Sequence, residues 1–239
     1  MAVELEAADR GAGPPVVLLH GQPGDRRDWV AVVDRLVERV RVIVPDRPGY
    51  GRTGGAAVGI GANSDALVAL LDRLAVADVV VAGYSWSGAV ALDLALRYPE
   101  RLRGIVLVSS IGGEGSVDRL DQVLGWSVVG PLLSLVGIKV LRLGSWRSFV
   151  VEQRAMLAEL PSLTQRLGEI RTPAAVVIGD VDRVVRPASQ LMLAGALLSA
   201  RLVRVPGGGH VLPLDAPDVV ADEIAAMADG DGGEGAGPG

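Results

Sequence analysis

The sequence predicts an α/β fold: a mostly parallel sheet with helices on both faces and a short helical insertion. Three observations carry this. Short apolar, β-branched runs alternate along the chain with helix-length segments, the pattern of a sheet covered on both sides. Several of these runs, such as Val79-Val80-Val81-Ala82, lack charge altogether and read as buried strands. The alternation then stops once, between residues 111 and 168, and resumes.

Taken in order, Met1 to Glu6 is acidic and alternating and reads as a short first strand. Val16 to Leu19 follows, then a helix from about Arg26 to Glu38, a strand at Arg41 to Val44 and a helix from about Ala62 to Leu74. Val79 to Gly83 is a strand with its helix after it, and Gly104 to Ser109 is the next buried strand. Beyond the interruption come a strand at Ala174 to Ile178, a helix from about Ala188 to Leu197, a strand at Leu202 to Val205 and a last helix from about Pro217 to Met227. The expected division is a core in two parts, residues 1–110 and 169–228, with a cap at 111–168 and a glycine-rich tail at 229–239 that cannot bury enough to order itself.

The most informative motif is Gly83-Tyr84-Ser85-Trp86-Ser87-Gly88, at a strand-to-helix switch. A serine between small residues at such a switch has the sequence form of a nucleophile elbow, because the tight turn brings the backbones too close for larger side chains. The usual pattern ends in glycine where this chain has Ser87, which reads as a packing residue. Serine needs a base to take its proton. The chain has two histidines. His20, where a strand runs into a Gly/Pro turn, reads as structural and pinning that turn. His210 sits on the bare loop Gly207-Gly208-Gly209, where a core role is hard to find. A carboxylate should hold the imidazole tautomer. Asp182 is favoured, with Asp180 as the alternative, since a residue directly after a turn glycine more often caps the loop.

These motifs together resemble the α/β-hydrolase family, in its Ser-His-Asp branch with a small cap domain. His20-Gly21-Gln22-Pro23 is similar to that family's oxyanion-hole turn, and Asp46-Arg47-Pro48-Gly49-Tyr50-Gly51 is similar to its next βα turn. The resemblance implies that the backbone N–H groups of Gln22 and Trp86 form the oxyanion hole. It also implies a serine hydrolase, carboxylesterase-like and without a cofactor, acting on a small, largely apolar ester, lactone or related acyl compound. Carbon–carbon bond hydrolysis, acyl transfer and perhydrolysis run on the same scaffold. Two readings from other classes are a triad-bearing ligand receptor with slow turnover and a cofactor-free oxygenase.

Within the cap, Val123 to Ile138 carries no charge. It reads first as cap helices packed on the core, and more sharply as Leu124, Trp126, Leu132, Leu133 and Leu135 lining a pocket for a lipophilic substrate. At fewer than the ~20 apolar residues a membrane span requires, and with Pro131 inside it, it is not a transmembrane segment; docking at a membrane surface is a third option. The net charge of −5 argues against nucleic acid as a partner. With no cysteine there is no disulfide framework and no thiolate metal site. Lys139 is the only lysine among 23 basic residues, which with abundant Ala, Val and Gly is expected of a GC-rich bacterium; the N-terminus does not read as a signal peptide, so a cytoplasmic location is expected.

Overall fold

The computed structural model describes residues 3–112, 115–116 and 146–230. Leu124, Trp126, Leu132, Leu133 and Leu135, with the tail from residue 231, lie outside the described residues. The strands are β1 (Ala7–Arg10), β2 (Pro15–Leu19), β3 (Arg41–Pro45), β4 (Val79–Tyr84), β5 (Leu102–Val108), β6 (Ala174–Gly179) and β7 (Ala200–Val205). The helices are α1 (Val30–Leu36), α2 (Ile60–Arg73), α3 (Ser87–Arg97), α4 (Trp146–Gln165), α5 (Pro187–Ala196), α6 (Leu212–Asp215) and α7 (Pro217–Asp229). The strands form one sheet in the order β1-β3-β2-β4-β5-β6-β7, parallel throughout except for β1 against β3.

The period of two along each strand sorts the sheet's side chains into two cores. Val17, Leu19, Val79, Val81, Ile105, Leu107, Val176 and Ile178 belong to one, with buried residues of α2, α3, α4 and α5. Val16, Leu18, Val80, Ala82, Val106, Val108, Ala175 and Val177 belong to the other, with Val32 and Leu36 of α1 and Val220, Ile224 and Met227 of α7. Each fully buried Val, Leu or Ile stabilises by about 1.5–3 kcal/mol, which is why these buried stretches carry no charge on either face.

Two of the boundaries that differ from expectation have a clear physical reason. The first strand is Ala7–Arg10, not Met1 to Glu6: its position follows from its antiparallel register, Ala7 opposite Pro45 and Arg10 opposite Val42, with Asp9 ion-paired to Arg41. Alternation at residues 3–6 reflects the burial of Leu5 beside the sheet. The last helix runs through Asp229, where the expected tail begins, and closes on Gly230 in the left-handed conformation glycine adopts readily (φ 90°).

The sheet order reverses direction at β2 and β4, since β2 leads outward to β3 on one side and the chain later returns to β4 on the other. Crevices at the carboxyl ends of strands beside such a switch point are where open α/β sheets bind ligands. Ser85 lies one residue beyond the end of β4.

Candidate active site

Ser85 has φ +54°, a left-handed conformation that an L-residue with a side chain adopts at a cost. Its surroundings hold it there: its N–H donates to the Val108 carbonyl (2.9 Å), and its own carbonyl accepts from Gly88 (3.1 Å) and Ile111 (3.3 Å). A β-carbon at Gly83 would sit 2.5 Å from the Ser87 carbonyl oxygen, and one at Gly88 would run into the Ser110 hydroxyl. Glycine at both positions is therefore a packing requirement of the turn. Ser87, the departure from the usual motif, donates its hydroxyl to the His20 carbonyl and so ties the start of α3 to the end of β2.

The structure brings Ser85, His210 and Asp182 into one hydrogen-bonded chain. His210 Nε2 lies 3.0 Å from Ser85 Oγ, and His210 Nδ1 lies 2.9 Å from Asp182 Oδ2. Asp182 is buried, and its second oxygen accepts from the N–H groups of Val184 (2.8 Å) and Val185 (3.0 Å). Asp180 points elsewhere and pairs with Arg204 (2.9 Å). The loops carrying the acid and the histidine meet backbone to backbone: a β-carbon at Gly179 would lie 2.3 Å from the Gly209 carbonyl oxygen, while Val181 N–H donates to the Gly208 carbonyl (3.0 Å). This close approach requires glycine at 179.

Two further residues, whose roles the sequence does not mark, serve this half of the site. Gln190, fully buried on α5, donates through Nε2 to Asp182 Oδ2 (3.1 Å) and to the Val185 carbonyl (2.7 Å), orienting the acid. Tyr84 lies against the imidazole of His210, with ring centroids 5.4 Å apart. Burial pushes the Tyr84 phenol well above its usual range, so it stays neutral.

On the other side, Gln22 is partly buried and its side-chain amide donates to the Phe149 carbonyl of α4 (3.1 Å). Trp86 is buried and stands directly before α3, where the first backbone N–H groups lack partners within the helix and the helix dipole is positive. His20 is fully buried and structural: its Nε2 accepts the Arg47 N–H (2.9 Å), its Nδ1 donates to the Gly21 carbonyl (2.9 Å), and burial with the nearby Arg47 charge pushes its pKa down to about 3. Burial and the nearby Asp25 charge push the Asp28 pKa up to about 6. Among the described residues no cluster of three or more His, Cys, Asp or Glu could hold a metal ion, and no helix is long and apolar enough to cross a membrane.

The model of the alpha/beta hydrolase family matches residues 16–223. The chain belongs to the alpha/beta hydrolase family. Family relatives include 2-hydroxy-6-oxo-2,4-heptadienoate hydrolase of Pseudomonas putida, 30% identical over 89% of this chain and 88% of that one. Pimeloyl-[acyl-carrier protein] methyl ester esterase of Aromatoleum aromaticum is 30% identical over 86% of this chain and 94% of its own. Among solved structures, a thermophilic esterase from Thermogutta terrifontis superposes with a TM-score of 0.77 at 25% identity, covering 92% of this chain and 91% of the esterase. The fold and the general class, a hydrolase of this family, follow.

Proposed function

We propose that the protein is a serine hydrolase of small, largely apolar esters, lactones or related acyl compounds. The observation that carries the reading is the continuous Ser85–His210–Asp182 hydrogen-bonded chain, with the serine held in a left-handed turn at the carboxyl end of β4. In this reading Ser85 Oγ attacks the substrate carbonyl while His210 Nε2 takes its proton. Asp182 Oδ2 accepts the Nδ1–H bond and stabilises the imidazolium that forms. The N–H groups of Gln22 and Trp86 receive the developing oxyanion, His210 returns the proton to the leaving alkoxide, and water repeats the cycle on the acyl-enzyme.

The test is fluorophosphonate labelling of Ser85 together with turnover of nitrophenyl esters from acetate to octanoate. Ser85→Ala should remain folded and lose about 10⁴-fold or more in kcat. A folded Ser85→Ala protein with near-normal turnover overturns the assignment. Activity that rises with acyl length supports the apolar pocket expected at Leu124, Trp126, Leu132, Leu133 and Leu135. A flat profile leaves those residues the packing role.

Carbon–carbon bond hydrolysis is a second reading, favoured by the 30% identity to a 2-hydroxy-6-oxo-2,4-heptadienoate hydrolase. Loss of the dienoate chromophore on addition of the enzyme distinguishes it from ester cleavage.

A further inference from the structure

A buried ion pair beside the site has no part in the proton transfers above. Arg47, in the loop after β3, and Glu152, on α4, are in contact with their side chains 2% and 0% exposed. Burial pushes the Glu152 carboxyl up while the Arg47 guanidinium pulls it back. Taking two charges out of water costs several kcal/mol per ion, and apolar residues of the same volume often serve stability as well or better. The geometry shows what the pair does instead.

Arg47 donates through Nε to the His20 carbonyl (3.1 Å) and through a terminal nitrogen to the Gly21 carbonyl (2.9 Å). The Gly21 carbonyl and the Gln22 N–H belong to one planar trans peptide, so anchoring the oxygen sets the direction of the N–H on its opposite side. A cationic donor on that oxygen also polarises the N–H and makes it a better donor. The same guanidinium lies 4.6 Å from the ring of Trp86, the residue carrying the other oxyanion donor. Glu152 faces Arg47 from α4, is held in turn by the Tyr50 hydroxyl (2.7 Å), and lies one turn from Phe149, whose carbonyl receives the Gln22 amide.

We propose that Arg47 and Glu152 are positioning residues for the oxyanion hole, through which the docking of helix α4 orients the Gln22 N–H. This inference rests on the serine-hydrolase reading. It makes α4 a requirement for rate and not only a wall of the substrate pocket.

Four proteins test it: wild type, Glu152→Gln, Arg47→Met, and the double variant Arg47→Met with Glu152→Leu. Single variants leave one partner buried and lose stability, whereas the double variant removes both charges together and should melt within about 4 °C of wild type. Active sites are counted by fluorophosphonate labelling run to completion. kcat and KM are then measured on nitrophenyl acetate, and affinity on a trifluoromethyl ketone, whose adduct with Ser85 carries an oxyanion. The proposal expects the double variant to lose about 10- to 100-fold in kcat per titrated site with KM changed less than about threefold. Ketone affinity should fall in step with kcat. Glu152→Gln should show the same split to a smaller degree, and it carries the test if the double variant does not fold. Recovery of kcat along with melting temperature in the double variant, or unchanged ketone affinity, overturns the proposal while the labelled wild type leaves the hydrolase reading standing. A folded wild type that takes no fluorophosphonate removes both.

Discussion

Asp182 and His210 stand on loops whose backbones touch, Gly179 against Gly208 and Gly209, while the loop of Gln22 is held by side chains arriving from two other parts of the chain, Arg47 after β3 and Glu152 on α4. The two acid–base loops thus meet through the missing side chain at Gly179, whereas the oxyanion loop is held by long polar side chains. The first leaves a trace in the sequence, because glycines stand within three residues of both Asp182 and His210. The second leaves almost none, since an arginine and a glutamate 105 residues apart carry no spacing signal.

The largest test of this contrast lies in the acid–base half. Asp182→Asn should reduce kcat by about 10⁴-fold, while Asp180→Asn, which only frees Arg204 at the surface, should change it less than about twofold. Equal effects in kinetic assays of the two purified variants would erase the distinction between the neighbouring acids. Next comes the backbone seam. Gly179→Ala places a β-carbon against carbonyl oxygens that cannot swing aside, so about 1–3 kcal/mol of stability should be lost, with activity falling alongside in urea-titrated samples. A Gly179→Ala variant as stable and active as wild type would show that the two loops are not held by close approach.

A smaller effect is expected at Gln190, where a side chain and not the backbone serves the acid–base half. Gln190→Met keeps the volume but removes the donor to both Asp182 Oδ2 and the Val185 carbonyl, so about a tenfold loss in kcat is expected together with a loss of about 1–3 kcal/mol in stability. The smallest effect is in the oxyanion half. Asp28 has its pKa raised from 3.8 to about 6 in the folded protein, so its contribution to stability is fully present below pH 3.8 and is lost as pH rises through 6. Asp28→Asn should therefore be more stable than wild type at pH 7 by an amount that vanishes near pH 4, changing by at most about 1.4 kcal/mol per pH unit between. Denaturant melts at several pH values measure it, and a difference independent of pH would contradict the burial of this carboxyl. His20 acts in the opposite sense: with its pKa lowered from 6.5 to about 3, its contribution is present above pH 6.5 and is lost as pH falls toward 3.

The legibility of the chain follows the same division. Strands β2 to β6 are readable because burial on both faces demands apolar runs, with charge only at the start of β3 and β5, whereas β1, a half-exposed edge strand, is placed by its antiparallel register with β3 and not by its own alternation. Ser85, Asp182 and His210 each follow a strand within a few residues and lie within three residues of a glycine, Gly83, Gly179 and Gly209, where the sequence marks them. Glu152 carries a faint signal: it lies four residues before Met156 and eight before Leu160, in the buried stripe of α4, where an acid is out of place without a partner. What the sequence does not supply is the partner, which only the packing of α4 on the β3 loop provides.

The separation of Ser85 from His210 by 125 residues, against 28 between Asp182 and His210, also orders events in time. Closing the longer loop costs more chain entropy, by about 1.3 kcal/mol on the logarithmic law, and the contact depends on β5, β6 and β7 all standing in register between the two residues. During refolding, then, helical circular dichroism should return before the ability to react with a fluorophosphonate. The nucleophile becomes a clock for the last long-range closure of the chain.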